Sequence, residues 1–373
     1  MAGKDIYRKP FDEGTQHKLY LYKKYVQEWL PVFLNQKIDR VQVFDFFAGR
    51  GRDNEGEPGS PLIALEEIKN AICAYRQPTP PPSVHLYLNE YKTSNYDDLM
   101  QHCESFPDKE CATIHYANLD FKDAFAQWLP LMQDRHAASL VFFDQNGVKQ
   151  ITPAVFKTIV SIPRTDFLFF ISSSFANRFR DDPNIVGSIP FTKEDLAMMK
   201  GHNVHRVICN AYRRLLPDPE NYYLAPFSIK KGGNVYGLIF GSGHPLGMEK
   251  FIKSAWKIDP VYGEADYDID DEDIRPERPS LFPDMDKPTK KKKFEDGFRH
   301  ALLSGEFPTT REAYLYTIRE GFPPDAARDI LKVLRNEGCV AQRYYPISYD
   351  CSFKDRDRIV SIEVTGKGRE SIQ

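Results

Sequence analysis

The chain has 373 residues, of which 41% are hydrophobic and 13% aromatic, and its formal net charge at pH 7 is −3. A chain of this size and composition can bury one large core and a smaller second one, which excludes a disordered or fibrous protein. The near-neutral charge gives no whole-chain reason to bind a polyanion, so any nucleic-acid contact must be local.

The six cysteines have no Cys-x-x-Cys spacing, so the sequence predicts no zinc or cluster site in this chain and reduced, buried thiols. The start, Met1–Asp5, lacks the apolar centre of a signal peptide. The longest apolar runs, Leu140–Phe143 and Phe167–Ile171, have the length of a strand rather than of a membrane helix. Together these features predict a cytoplasmic protein with no membrane partner.

The first predicted elements are a helix, a strand and a glycine turn. Residues 15–30 have apolar side chains at helical spacing and predict an amphipathic helix that packs on a sheet. The segment Val41–Gly51 is an apolar strand that ends in an acid and a Gly-x-Gly turn. Such a turn lets backbone N–H groups approach a nucleotide-type cofactor, although a tight turn without a ligand has the same pattern. A helix should follow, with Ser60 as its N-cap and Pro61 at its first position.

Strands and helices alternate through the first half of the chain. We predict strands at 41–47, 84–89, 113–116, 139–144 and 166–171, and helices at 61–75, 93–105, 120–134 and 152–162. A helical stretch at 193–216 precedes two strands, at 222–228 and 235–242, that form a hairpin. This order predicts an α/β protein with a Rossmann-like, doubly wound sheet whose parallel strands are closed by an antiparallel hairpin, the arrangement of class I methyltransferases.

Three segments carry a resemblance to a known family: His17–Trp29, the Asp-Phe-Phe-Ala-Gly-Arg-Gly run Asp45–Gly51, and the Pro-Gly-Ser-Pro-Leu run Pro58–Leu62. In these segments, and through the hairpin near residue 240, the chain resembles the three-Cys-motif partner (TcmP) proteins, a family with a methyltransferase-like fold. Its members are encoded beside a protein that has three clustered cysteines and resembles a radical S-adenosylmethionine (SAM) or iron–sulfur enzyme. The resemblance implies that iron–sulfur protein as a partner more clearly than it implies a reaction.

The methyltransferase interpretation gives the strand ends cofactor roles, because ligands of such sheets bind at the carboxyl ends of the strands. Asp45 would bind near the amino-acid part of SAM, and Ala48, Gly49 and Gly51 would form the floor of the site. Glu90 has two acceptor oxygens for the ribose hydroxyls.

The segment after the third strand supplies two further candidates. Asn118 and Asp120 could bind the adenine amino group, while Asp120 is equally suited to cap the helix that starts at Phe121. His17 and Lys18 belong to the matched segments and could face the same cleft, without an assigned role.

The reacting centre is predicted after the fourth strand, where the sequence is Asp144-Gln-Asn-Gly147. Asp144 and Asn146 are the candidate catalytic residues, because a carboxylate here can accept a hydrogen bond from an amine or orient a nucleophile. The family usually has Asp-Pro-Tyr-Gly or Asp-Pro-Phe-Gly, which is similar to the Asp-Pro-Pro-Tyr loop of enzymes that methylate amines of nucleic acids. With Gln145 and Asn146 the chain lacks the proline and the aromatic ring, so a degenerate site on a retained fold is a second interpretation.

The sequence predicts three regions: a methyltransferase-like domain at 1–260, a linker at 261–293 and a winged-helix-like domain at 294–373. The linker is acidic, then rich in proline, and ends in a lysine run at 290–293 that could contact phosphate but more commonly is simply solvated.

The last region shows the signals of three helices followed by a hairpin. Helices are predicted at 294–304, from a capping box at Thr309–Glu312 to Gly321, and at 325–337, with strand-like segments at 339–345 and 358–365. Arg328, Lys332 and Arg335 on the third helix, with Lys354, Arg356 and Arg358 beyond it, could contact nucleic acid. The region lacks a basic excess, so docking of a protein partner is an equal alternative.

Two main functions remain open from the sequence. The chain is either a SAM-dependent methyltransferase acting on nucleic acid or on an intermediate of the iron–sulfur partner, or a non-catalytic scaffold that binds that partner or nucleic acid. A DNA-binding regulator that senses a nucleotide is a third possibility, which explains fewer of the site residues.

Overall fold

The computed structural model describes residues 10–145, 150–171, 190–199, 203–231, 234–264, 289–341 and 344–370. The chain divides into two compact units, residues 1–250 and 251–373. Within the described ranges, no helix combines the length and the apolar character needed to cross a membrane.

The first unit is built on a sheet of seven strands in the order β3-β2-β1-β4-β5-β7-β6. The strands are β1 Arg40–Asp45, β2 Ser83–Asn89, β3 Thr113–Ala117, β4 Ala137–Phe143, β5 Thr165–Ile171, β6 Tyr223–Lys231 and β7 Asn234–Ser242. β1 to β5 pair in parallel, and β7 runs antiparallel to both β5 and β6. The predicted doubly wound sheet closed by an antiparallel hairpin is therefore confirmed.

Helices precede, separate and follow these strands along the chain. They are α1 Glu13–Leu34, α2 Ser60–Ala74, α3 Thr93–Glu104, α4 Phe121–Met132, α5 Pro153–Val160, α6 Lys193–Met198, α7 Val204–Arg213 and α8 Pro245–Ile258. The helical stretch predicted at 193–216 contains two helices, since α6 ends at Met198 and α7 begins at Val204. α8 was not predicted.

Burial of the central strands explains why the site-bearing edge of the sheet is fixed. All residues of β4 and β5 are buried, as in strands covered on both faces. Below the end of β1, the ring of Phe46 stacks on that of Phe143 at 5.3 Å and packs against Trp128 at 5.4 Å. Asp45 at the end of β1 is in register with Leu88 of β2 and Phe142 of β4, so the three strand ends are level.

The cysteines are all free. Cys103, Cys209 and Cys339 are buried, in line with the sequence. Cys111 and Cys351 are half-buried and Cys73 is exposed, so the prediction that all six are buried was wrong. Cys73 lies in the last turn of α2, where the helix leaves the core.

The second unit contains the three predicted helices, α9 Lys290–Leu303, α10 Thr310–Arg319 and α11 Pro324–Asn336, and a short α12 Gly366–Glu370. α9 starts earlier than predicted, because the Thr289 side chain caps it by accepting from the N–H of Lys292, and the lysine run is its first turn. The capping box of Thr309 and Glu312 is confirmed.

The hairpin predicted in this unit is nearly absent from its described residues. Val340 and Val364 form one isolated antiparallel bridge, and Thr309 and Ser361 form another. Residues 350–358 instead make short helical turns. The winged helix therefore remains a prediction.

Candidate functional site

The glycine turn after β1 requires glycine at two positions. Gly49 has φ +65° and Gly51 has φ +84°, in the left-handed region that side chains disfavour. A Cβ on Gly51 would also lie 3.3 Å from the Cβ of His102 on α3. Ala48 fixes the start of the turn, since its N–H donates to the Asn89 carbonyl at 2.9 Å. The turn is thus tied to the end of β2.

Glu90 directly follows β2 and closes this turn. Its carboxylate accepts from the N–H of Gly49 at 3.0 Å and from the N–H of Lys92 at 2.9 Å. Burial raises the pKa of Glu90, and these hydrogen bonds partly offset that effect. The residue is half-buried, and the side chain of Asn95 is a third hydrogen-bond partner of its carboxylate.

Asp45 lies at the bottom of the site. It is 1% exposed and accepts hydrogen bonds from the Ser60 hydroxyl at 2.6 Å and the Phe47 N–H at 3.1 Å. Burial raises the pKa of Asp45 to about 7, against the lowering effect of those two donors. Ser60 is the first residue of α2 and Gly59 is the N-cap, so the prediction that Ser60 caps the helix was wrong. Its hydroxyl binds the carboxylate instead.

Asn118 and Asp120, the two candidates for binding the adenine amino group, have different surroundings. The Asn118 amide donates to the carbonyls of Glu90 and Tyr91, at 2.7 and 2.9 Å, so it holds the segment after β2. Asp120 is exposed and caps α4 by accepting from the N–H of Lys122 at 3.0 Å. The structure therefore assigns Asp120 the capping role that the sequence had left open.

Asp144 follows β4 and forms an ion pair with Lys18 of α1. The two side chains are 26% and 17% exposed, and the Lys18 ammonium lies 5.3 Å from the centre of the Phe170 ring. Gln145 is buried and accepts from the N–H of Gln150 at 3.0 Å. The second candidate catalytic residue, Asn146, lies outside the described residues.

Two residues of this edge had no predicted role. Asn89 is buried at the end of β2, and its amide donates to the carbonyls of Phe46 and Leu119, so it links three strand ends. Tyr22 is fully buried against Phe142, and within the described chain its hydroxyl has no hydrogen-bond partner. A polar residue at the end of an apolar strand was a readable signal for Asn89. Tyr22 gave none, because a tyrosine on an apolar helix face is usually a core residue.

The basic side chains of the second unit largely have local partners. These are Arg328 with Asp325 and the Ile347 carbonyl, Arg335 with Asn336, Lys354 with Asp350, and Arg358 with Asp355. Exposed pairs of this kind contribute little to the free energy of folding. Their presence therefore favours neither nucleic acid nor protein as the ligand of this surface.

No family model matches the sequence. No curated protein matches it either. Among solved structures, the chain is similar to Trm1 from Pyrococcus horikoshii in complex with SAM, with 13% identity, a TM-score of 0.40 and coverage of 69% of this chain and 61% of that one. The chain thus spans about three fifths of the length of that protein.

Two further solved structures have the same kind of likeness. The O-methyltransferase TomG from Streptomyces achromogenes, in complex with SAM, has 11% identity, a TM-score of 0.33 and coverage of 63% of this chain and 91% of its own. The plantazolicin methyltransferase BpumL, in complex with S-adenosylhomocysteine (SAH), has 8% identity, a TM-score of 0.31 and coverage of 62% and 86%.

Proposed function

We propose that the chain is a cytoplasmic SAM-dependent methyltransferase that acts on nucleic acid or on an intermediate made with a three-Cys-motif iron–sulfur partner. The observation that carries the proposal is the hydrogen bond between the Gly49 N–H and the Glu90 carboxylate. It joins the glycine turn after β1 to the acid after β2, at the edge where sheets of this kind bind nucleotide-type ligands.

The chemistry of the described residues fits SAM. Glu90 offers a carboxylate to the ribose hydroxyls, and Asn118 fixes the backbone on which Glu90 lies. Asp45 offers a carboxylate for a cationic amino group, which would favour its ionised form. The buried Tyr22 hydroxyl has no hydrogen-bond partner among the residues that the structure describes, which supports a polar ligand or an ordered water at the same place.

Asp144 is the group we propose at the reacting centre. When bound, SAM supplies a methyl group on a positively charged sulfur. A carboxylate after β4 can accept a hydrogen bond from an N–H of the acceptor amine, and it can take that proton as the nitrogen gains the methyl group. The half-buried position of Asp144 leaves one side of its carboxylate open to such a group.

The alternative is a scaffold that retains the fold and the cofactor but not the transfer. It is favoured by two observations: Asp144 is already paired with Lys18, and the buried Gln145 stands where the family has proline. In this case the unit would bind the iron–sulfur partner or nucleic acid without modifying either.

Transfer of a labelled methyl group from SAM to total nucleic acid, with and without the iron–sulfur partner, separates these functions. We expect transfer by the wild type, loss of transfer in Asp144→Ala, and retention in Asp120→Ala, which removes an exposed helix cap. Binding of SAM by a wild type that transfers nothing under either condition would contradict the methyltransferase and support the scaffold.

A further inference from the structure

The ion pair between Lys18 and Asp144 is costly as a purely structural feature. Both side chains are mostly buried, and desolvation of two charges often outweighs their attraction. The pair also joins the second turn of α1 to a strand end at the predicted acceptor side of the sheet. A pair with this cost at this place suggests a role in ligand binding.

The pair lies beside β5, because the Lys18 ammonium is 5.3 Å from the centre of the Phe170 ring. Burial and two hydrogen bonds have the largest effects on the pKa of Asp45. Asp144 raises this pKa further and Lys18 lowers it, so both charges act on the end of β1. The pKa of Tyr236 on β7 is raised mainly by burial and next by Asp12. Lys18 lowers this pKa and Asp144 raises it. Both charges therefore lie within electrostatic range of Asp45 at the end of β1 and of Tyr236 on β7.

We propose that Lys18 is a positioning and specificity-determining residue of the acceptor site. It holds the Asp144 carboxylate and presents its remaining N–H groups beside it, since an ammonium has three donors. The site then offers a donor next to an acceptor, which complements the amidine edge of a nucleobase, where a ring nitrogen adjoins an amino N–H. This inference rests on the proposed function and names the acceptor class.

The same pair disfavours other acceptors. An isolated aliphatic amine is cationic at neutral pH, and it has no acceptor atom for the remaining N–H groups of Lys18. The positive charge of Lys18 and the negative charge of Asp144 also sum to zero, so neither charge alone dominates the binding of a cationic cofactor.

The first test compares SAM, which is cationic at sulfur, with the uncharged sulfur of SAH, by calorimetric titration. Lys18→Met leaves Asp144 unbalanced, so the preference for SAM over SAH should rise about tenfold. Asp144→Asn leaves Lys18 unbalanced, so the preference should fall about tenfold. Lys18→Arg should keep the wild-type ratio. A mere loss of folding moves both affinities together, so opposite shifts of the ratio are specific to charge at the cleft.

The second test locates the methyl group. After reaction with total nucleic acid, digestion to nucleosides should find the label on a base nitrogen of an amidine edge. Lys18→Met should raise the nucleic-acid concentration that gives the half-maximal rate by a larger factor than it lowers the maximal rate. In Lys18→Arg this concentration should be that of the wild type.

The outcomes separate the two proposals. If the wild type binds neither SAM nor SAH, the proposed function and this inference both fail. If it binds both, but the two substitutions shift the ratio in the same direction or not at all, the pair is structural and only this inference is overturned. Label on a ribose hydroxyl or in the protein fraction would overturn the acceptor class.

Discussion

Ser60, at the start of α2, donates a 2.6 Å hydrogen bond to Asp45, at the end of β1. The bond stabilises a carboxylate that is almost completely removed from water, and yet burial still raises the pKa of Asp45 to about 7. A buried acid with so high a pKa is poorly suited to stabilising the fold at neutral pH. This relationship leads to the first prediction.

Asp45→Asn should stabilise the protein at pH 8 but not at pH 4. The pKa of Asp45 is 3.8 unfolded and about 7 folded, so between these values the folded state binds the extra proton. Stability from this residue is present below pH 3.8 and is lost as the pH rises through 7. The gain from substitution at pH 8 is at most about 4 kcal/mol, at about 1.4 kcal/mol for each pKa unit.

Urea unfolding at the two pH values measures this difference, and Asp97→Asn, an exposed carboxylate on α3, is the control. The charged neighbours of Asp45 are Lys18 and Asp144, while the raised pKa values of Tyr22 and Cys103 keep those groups neutral in this range. An equal effect of Asp45→Asn at both pH values would contradict the raised pKa.

Glu90→Gln should weaken SAM binding by about 10- to 100-fold. The substitution keeps the size of the side chain but removes the charge that strengthens its hydrogen bonds, an effect of about 1.5–3 kcal/mol for bonds to charged groups. Calorimetric titration gives the affinity, and Glu110→Gln, which changes an exposed acid, serves as the matched control. Unchanged affinity in Glu90→Gln would remove Glu90 from the cofactor site.

Gly51→Ala and Gly56→Ala should differ in binding but not in backbone strain. Both glycines have positive φ, +84° and +91°, so each alanine should cost about 1 kcal/mol of stability or more. The added Cβ meets His102 at position 51 and nothing within 4 Å at position 56. We expect SAM affinity to fall only in Gly51→Ala. Loss of affinity in both variants would show that the effect is one of general stability.

Asp120→Ala should lower the free energy of unfolding by about 1 kcal/mol, the usual loss for a helix N-cap, without changing SAM affinity. Asn118→Ala should lower the affinity, because it releases the carbonyls of Glu90 and Tyr91. Thermal unfolding and titration of the two variants side by side measure both quantities. The assignment of Asp120 as a cap is overturned if Asp120→Ala binds SAM more weakly.

The sheet could be predicted because its signals are local. Apolar runs define the strands, and the Gly49 and Gly51 turn marks the end of β1. The parallel order then brings Asp45, Glu90 and Asp144 to one edge, since parallel strands share the direction of their carboxyl ends.

What the sequence did not reveal depends on long-range contacts or on competition between local signals. Lys18 and Asp144 are 126 positions apart, and neither residue type shows its partner. Ser60 carried a strong capping signal, but a buried carboxylate nearby competes for the same hydroxyl. The start of α9 was missed because four consecutive lysines suggested a linker, whereas the capping Thr289 determined the helix.

Calorimetric titration of the purified protein with SAM and with SAH tests the central claim most directly. We expect the wild type to bind both, and we expect Glu90→Ala and Gly49→Trp to abolish binding while remaining folded. A well-folded wild type that binds neither ligand, with or without the proposed iron–sulfur partner, would contradict the methyltransferase proposal.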